Sequence, residues 1–247
     1  MNIRNFIFRI PCTVFICLLA VSLNLSADEG ISYVYTRRDR KSQEYIQWDR
    51  IALRDGFELY QANDEGIRYF RCRPDGSIQS MVHTSPEDRV VFKAEKKGTT
   101  LIAESLGRRG AVKREISMKT DFWNQPVSTG IQNFILSCED VLEFSLIDPA
   151  KLESVDFTFT KTDRSVLTVM DEPTDVLHLE LRLSGMLSKF WKGDFWFRED
   201  DGVLVRFEGN DGPGTDQYVL ELIRQSDLNR DDVYLSNVRS QLTRNLE

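Results

Sequence analysis

The feature that most constrains this chain is a two-residue alternation of apolar and polar side chains, cut at short intervals by glycine turns. Asp55-Gly56, Glu65-Gly66, Asp75-Gly76, Lys97-Gly98 and Asp201-Gly202 each separate alternating runs. A period of two sends successive side chains to opposite faces of a strand, and glycine accepts the positive φ that tight turns demand. Pro74-Asp75-Gly76 is the strongest of these turns, because proline presets φ at its first central position. The turns delimit strands near 43–53, 57–63, 67–73, 77–84, 89–95, 99–106 and 111–118. Further on, Val155, Phe157 and Phe159 alternate with Asp156, Thr158 and Thr160. Leu177, Leu179, Leu181 and Leu183 alternate with His178, Glu180 and Arg182, and Val203, Val205 and Phe207 alternate with Leu204, Arg206 and Glu208. Strands with one apolar and one wet face belong to antiparallel sheets covered on one side. The expected fold class is therefore mainly β, a curved antiparallel sheet forming a half-barrel or open barrel.

One segment departs from this period. Val127, Ile131, Phe134, Ile135 and Cys138 recur at helical spacing behind Pro126. This predicts a helix of about three turns over 127–138, inserted between the two strand-forming halves. A lone apolar stripe has to be buried, and the concave face of the sheet is the available partner, with Ile131, Phe134 and Ile135 inward. A second, weaker stripe follows Ser226, with Leu228, Leu235, Val238 and Leu242. It predicts a C-terminal helix on the same face.

The first 27 residues read as a leader rather than part of the fold. Arg4 and Arg9 precede an apolar run over 14–25, and Leu25-Ser26-Ala27 offers a small residue for cleavage. The run is shorter than the ~20 residues that span a bilayer. The expected mature chain is one domain over 28–247, periplasmic or secreted after cleavage near Ala27, with no transmembrane span. Loss of Arg4 and Arg9 moves the net charge from −7 to −9. This acidic balance argues against nucleic acid, which requires a basic face. Hydrophobic residues at 41% and charged residues at 29% fit a folded globular chain rather than a disordered one. The mature segment keeps only Cys72 and Cys138. In an oxidising compartment these form either one disulfide or two buried thiols, and sequence does not decide between them.

Catalytic motifs are absent. His83 and His178 are the only histidines, and both read as surface residues. There is no metal-binding His or Cys motif, no nucleophile elbow and no phosphate loop, so neither a cofactor nor an enzymatic activity is expected. Glu199-Asp200-Asp201 and the acidic run over 210–216 lack the spacing of a calcium loop and read as hairpin turns.

The composition is most unusual at Phe190, Trp191, Phe195, Trp196 and Phe197. Alternation places Trp191, Phe195 and Phe197 on one face and Phe190 and Trp196 on the other. Rings of this size bury ~150–250 Å² each and dominate whichever core or groove they join. The run from Lys189 through Gly209, which includes Asp200-Asp201-Gly202, is followed by Tyr218-Val219-Leu220-Glu221-Leu222-Ile223. Together these resemble a little-characterised family of exported bacterial half β-barrels, similar in fold to the periplasmic lipoprotein localisation factors. The resemblance implies a concave apolar face plugged by helices, which in the localisation factors holds lipoprotein acyl chains. Two readings stay open. One is a non-enzymatic binder or carrier of a lipid, acyl chain or lipid-modified protein, with Phe134, Ile131, Trp191, Phe195 and Phe197 as candidate ligand-binding residues. The other is an envelope scaffold or interaction protein whose core fills itself.

Overall fold

The computed structural model describes residues 30–63, 66–85, 90–107, 110–125, 130–189, 191–212 and 214–228. The leader therefore lies outside the described residues, as does most of the segment expected to form a C-terminal helix. The first half of the chain supplies β1 (Gly30–Arg38), β2 (Gln43–Leu53), β3 (Gly56–Asn63), β4 (Gly66–Cys72), β5 (Ile78–Thr84), β6 (Val90–Lys97), β7 (Thr100–Gly107) and β8 (Gly110–Ser117). After a short helix, α1 (Gln132–Leu136), come β9 (Val141–Asp148), β10 (Glu153–Val169), β11 (Glu172–Leu183), β12 (Lys192–Arg198), β13 (Leu204–Gly209) and β14 (Tyr218–Leu228). A 3-10 helix, Gly185–Lys189, sits between β11 and β12.

These strands form a single 14-stranded antiparallel sheet in the order β8-β7-β6-β5-β4-β3-β2-β1-β14-β13-β12-β11-β10-β9. The sheet is open, with β8 and β9 as its edges. It curls so that residues from both halves, among them Trp48, Phe70, Leu101, Phe144, Phe159 and Phe197, share one hydrophobic core. The expected curved antiparallel sheet is thus the fold observed. Each glycine turn named above sits at a hairpin, and Gly56, Gly66, Gly76, Gly98 and Gly202 all adopt positive φ.

The chain between the two edges closes the seam without completing the ladder. Phe122 and Asn124 bond Ser145 on the outer edge of β9, with Ser145 N–H donating to the Phe122 carbonyl at 2.9 Å and Asn124 N–H to the Ser145 carbonyl at 3.2 Å. Arg114 on β8 reaches the Lys151 carbonyl beyond β9 at 3.2 Å. The covered stretch of β9 cannot template pairing with another chain, the usual hazard of an open sheet, whereas β8 is exposed along most of its length.

Two expectations about helices need correction. The helix between the halves spans five residues, not three turns. Its start is set by Gly130 at φ +81°, where the backbone touches the Pro74-Asp75-Gly76 turn: a Cβ on Gly76 would lie 2.2 Å from the Gly130 carbonyl oxygen. Its end is set by Ser137, which turns extended while its N–H and hydroxyl both bond the Phe134 carbonyl. The other side of α1 rests on the β12–β13 turn, where a Cβ on Gly202 would lie 3.0 Å from the Cα of Gln132. The helix is therefore a plug wedged between two turns at one end of the sheet, with Ile131, Phe134 and Ile135 buried as expected. At the C-terminus, residues 226–228 continue β14 and pair with β1, so no helix begins at Ser226.

Candidate functional site

At the end of the sheet opposite the α1 plug lies a partly open cavity of about 680 Å³. Its position follows from strand direction. The wall uses the C-terminal ends of β1, β9 and β11, through Arg37, Leu146 and Leu183, and the N-terminal ends of β2, β10 and β14, through Ile46, Val155 and Leu220. In an antiparallel sheet these ends coincide. The concave-face residues nearer the plug, Leu179, Phe159 and Phe197, are fully buried against one another. The core thus fills one half of the curved sheet and stops short of the other.

Register determines which side chains form the wall. Phe157 stands opposite Leu183 and Phe144, and Phe195 stands opposite Phe207 and Leu179. The Phe195 and Phe207 rings lie 4.5 Å apart, and Trp191 meets Phe157 edge-on at 5.7 Å. Trp191 is fixed by its indole N–H, which donates to the backbone and side-chain oxygens of Asn210. Gly193 has no room for a side chain, because a Cβ there would sit 2.9 Å from the Phe207 ring. This glycine lets the aromatic wall close up.

Polar groups gather along part of the lining. Arg37 lies over the Tyr218 ring at 3.8 Å and pairs with Asp211 at 2.6 Å, and the Tyr218 hydroxyl donates to the same carboxylate at 2.9 Å. Burial, with Asp211 second, pushes the Tyr218 phenol well above its ordinary range. Arg68 donates to Gln61 at 3.1 Å, and Lys151 pairs with Asp148 at 3.4 Å. The arrangement suits a ligand that is mostly apolar with a polar end. Among the described residues no cluster of three or more His, Cys, Asp or Glu side chains is placed to hold a metal ion.

The candidate residues divide between cavity and core. Trp191 and Phe195 line the cavity. Phe197, Ile131 and Phe134 are packed in the core, the last two in the plug at the far end. Phe190 lies outside the described residues. Ile46, Trp48, Leu146, Val155 and Leu220 also form the wall. No local signal singles them out, because each is one inward residue on an ordinary strand.

Cys72 and Cys138 are both free, so the disulfide left open by sequence does not form. Cys72 is buried at the end of β4, and burial pushes its thiol up to about 12. Cys138 is exposed, because the helix stops at Leu136 and no longer carries the stripe inward. His178 also differs from the solvated residue expected. It stacks on Trp196 at 4.6 Å, and its two ring nitrogens meet Asp163 at 2.8 Å and Asp194 at 3.0 Å. This cluster holds the outer face of β10, β11 and β12 together. His83 lies within β5, across from Arg68 and Phe92, with its Nε2 buried.

No protein-family model and no curated protein matches the chain. Solved structures do resemble it in fold. One is a β-barrel-like protein of domain of unknown function DUF1849 from Brucella abortus, 10% identical with a TM-score of 0.49, covering 82% of this chain and 98% of that one. Another is the hypothetical lipoprotein YmcC from Escherichia coli, 11% identical with a TM-score of 0.34, covering 78% and 86%. A third is a LolA superfamily protein from Nitrosomonas europaea, 9% identical with a TM-score of 0.27, covering 83% and 88%. At these identities the likeness is one of overall shape, and function has to be read from the cavity itself. Among the described residues no helix is long and apolar enough to cross a membrane.

Proposed function

We propose that this protein is a non-enzymatic binder or carrier of a lipophilic ligand, either an acyl chain or a lipid-modified protein, working in the cell envelope. The cavity carries this reading. At about 680 Å³ it falls within the ~300–1,000 Å³ typical of small-molecule sites, and 13 of its 22 lining residues are aliphatic or aromatic. A chain built purely as a scaffold would be packed throughout to the density of an ordinary interior, whereas here side chains are buried at the α1 end and a cavity is left at the other. The charged, apolar and small-residue order of the leader supports export, with 28–247 as one exported domain.

The test is native mass spectrometry of protein purified from its own envelope, paired with titration of a fluorescent fatty-acid probe. The expected result is a co-purifying lipid mass and saturable 1:1 uptake of the probe once that lipid is removed. Absence of both would overturn the reading and leave the envelope scaffold in its place.

A further inference from the structure

A second, smaller recess of about 340 Å³ lies over the rim of the apolar cavity, lined by Arg182, Lys189, Trp191, Lys192, Asn210 and Gln217, among others. The two spaces share Trp191 and Asn210, the hydrogen-bonded pair that forms the rim between them. They also share one loop, with Gly212 on the cavity side and Gly214 on the recess side. The recess differs from the cavity in chemistry. Its lining contains three cations and no carboxylate, on a chain whose net charge is −7.

The cations are held in place from outside the recess. Glu180 grips Arg182 through two hydrogen bonds and lies 3.6 Å from Lys192, which also pairs with Asp194 at 3.2 Å. Arg182 further donates to the Ser188 carbonyl at 3.2 Å, tying down the 3-10 helix that ends at Lys189. Lys189 forms no ion pair among the described residues and is exposed. Two carboxylates thus balance two of the three cations, and the third charge is available to a ligand.

Resting on the lipophilic reading above, we infer that the ligand is an anionic amphiphile: its chain lies in the apolar cavity, and its phosphate or carboxylate head crosses the Trp191–Asn210 rim into the recess. Arg182 and Lys192 supply charged donors around the head. Lys189 supplies the unbalanced charge, and Asn210 and Gln217 supply amide donors. A charged head bound this way keeps access to water, so it avoids the cost of burying an unpaired charge among the leucines of the wall.

The experiment is calorimetric titration of the full chain, freed of bound lipid, with decyl phosphate, 1-decanol and inorganic phosphate. Decyl phosphate is expected to bind about tenfold tighter than decanol at low ionic strength, a preference that added salt reduces. Inorganic phosphate alone is expected to show no saturable binding. Lys189→Glu places a like charge at the head and should bring the ratio of the two affinities toward one. Equal affinities in the native protein, or a ratio unmoved by Lys189→Glu, would overturn the head-group site while leaving chain binding intact. Tight binding of inorganic phosphate would reassign the recess to a free anion. Failure of both decyl compounds to bind would overturn the lipophilic reading itself.

Discussion

The side-chain amide of Gln125 bonds both backbone polar groups of Ile147, its Nε2 donating to the carbonyl at 3.2 Å and its Oε1 accepting from the N–H at 3.1 Å. A side chain here takes the place of a neighbouring strand. Phe122 and Asn124 satisfy Ser145 two residues earlier on β9, and Gln125 extends the same edge after the backbone has turned away. Its Oε1 also accepts from the indole of Trp123, which is completely buried.

Gln125→Leu is therefore expected to strand both groups of Ile147 and the Trp123 indole. Each buried polar group left unpaired costs ~1–3 kcal/mol, so the variant should lose at least about 2 kcal/mol in a denaturant titration. Hydrogen exchange should accelerate at Ile147 before the rest of the sheet. A loss below about 0.5 kcal/mol would mean that the seam is held by the backbone of 122–124 alone.

The tyrosines set the alkaline limit of stability. Tyr35 is buried and donates its phenol to the Leu204 carbonyl at 3.0 Å, reaching over β14 from β1 to β13, and burial holds that phenol far above its ordinary range. Tyr33, Tyr69 and Tyr218 shift the same way, each chiefly through burial. A phenol whose folded pKa exceeds its unfolded value of about 10 stabilises the fold fully below that pH and less as pH rises toward the folded value. Stability should be independent of these groups up to about pH 10 and fall above it. Tyrosinate absorbance should rise together with loss of the β signal in circular dichroism, and Tyr35→Phe should make the alkaline decline shallower.

The two thiols of the sheet domain should react very differently. Alkylation of native protein followed by peptide mapping is expected to label Cys138, which is exposed, and to leave Cys72 unmodified. Cys72 is buried, and its thiol is raised to about 12, so little thiolate is available. Unfolding should make both reactive. Rapid labelling of Cys72 in the native state would indicate that the plug end of the sheet opens readily.

Much of this architecture was legible in the residues, and the exceptions share a cause. Strands β2 to β8 stand within a residue or two of the expected bounds, because the turns that delimit them are explicit in the residues, even though Ile51, Tyr60 and Val82 build a second small apolar cluster outside the main core. β1 carries no such signal: Tyr33, Val34, Tyr35 and Thr36 are buried in succession, so both faces are covered and the period disappears. β9 lacks a clean period too, because Phe144 and Ser145 are buried in succession. The apolar stripe near Phe134 correctly marked a buried segment. Its helical length did not follow, because Gly130 and Ser137 break the backbone around a single turn. The aromatic run pointed to Trp191 and Phe195, but the cavity also needs residues from strands more than a hundred positions away. Those come together only through register and curvature.

Leu179 and Leu181 are two residues apart on β11, inward and almost completely buried, yet only Leu181 borders the cavity. Leu179→Ala opens a void inside dense packing and should cost ~2–5 kcal/mol. Leu181→Ala enlarges a space that already exists, so fewer neighbours lose contact, and its cost should fall at the low end of that range, about 2 kcal/mol. Denaturant midpoints of the two variants give the comparison directly. Equal costs would mean that the wall at Leu181 is as tightly packed as the core.

Leu183→Trp tests the cavity from the opposite direction, by filling it. Leu183 is half-buried, lines the cavity and faces Phe157 across the β10–β11 ladder. Enlarging a side chain in a packed core costs ~1–3 kcal/mol, because neighbours must leave their preferred rotamers. Here the added ring enters open space beside Phe157 and Trp191, so it should gain contacts rather than displace them. The melting temperature is expected to stay level or rise, while affinity for a fluorescent fatty-acid probe falls at least about tenfold. Leu106→Trp, at an exposed position on β7 away from the cavity lining, controls for the effect of an added indole on the probe signal. A fall in stability with unchanged probe affinity would show that the space is filled by its own side chains in solution and that the probe binds elsewhere. A rise in stability with loss of binding would tie uptake to this cavity.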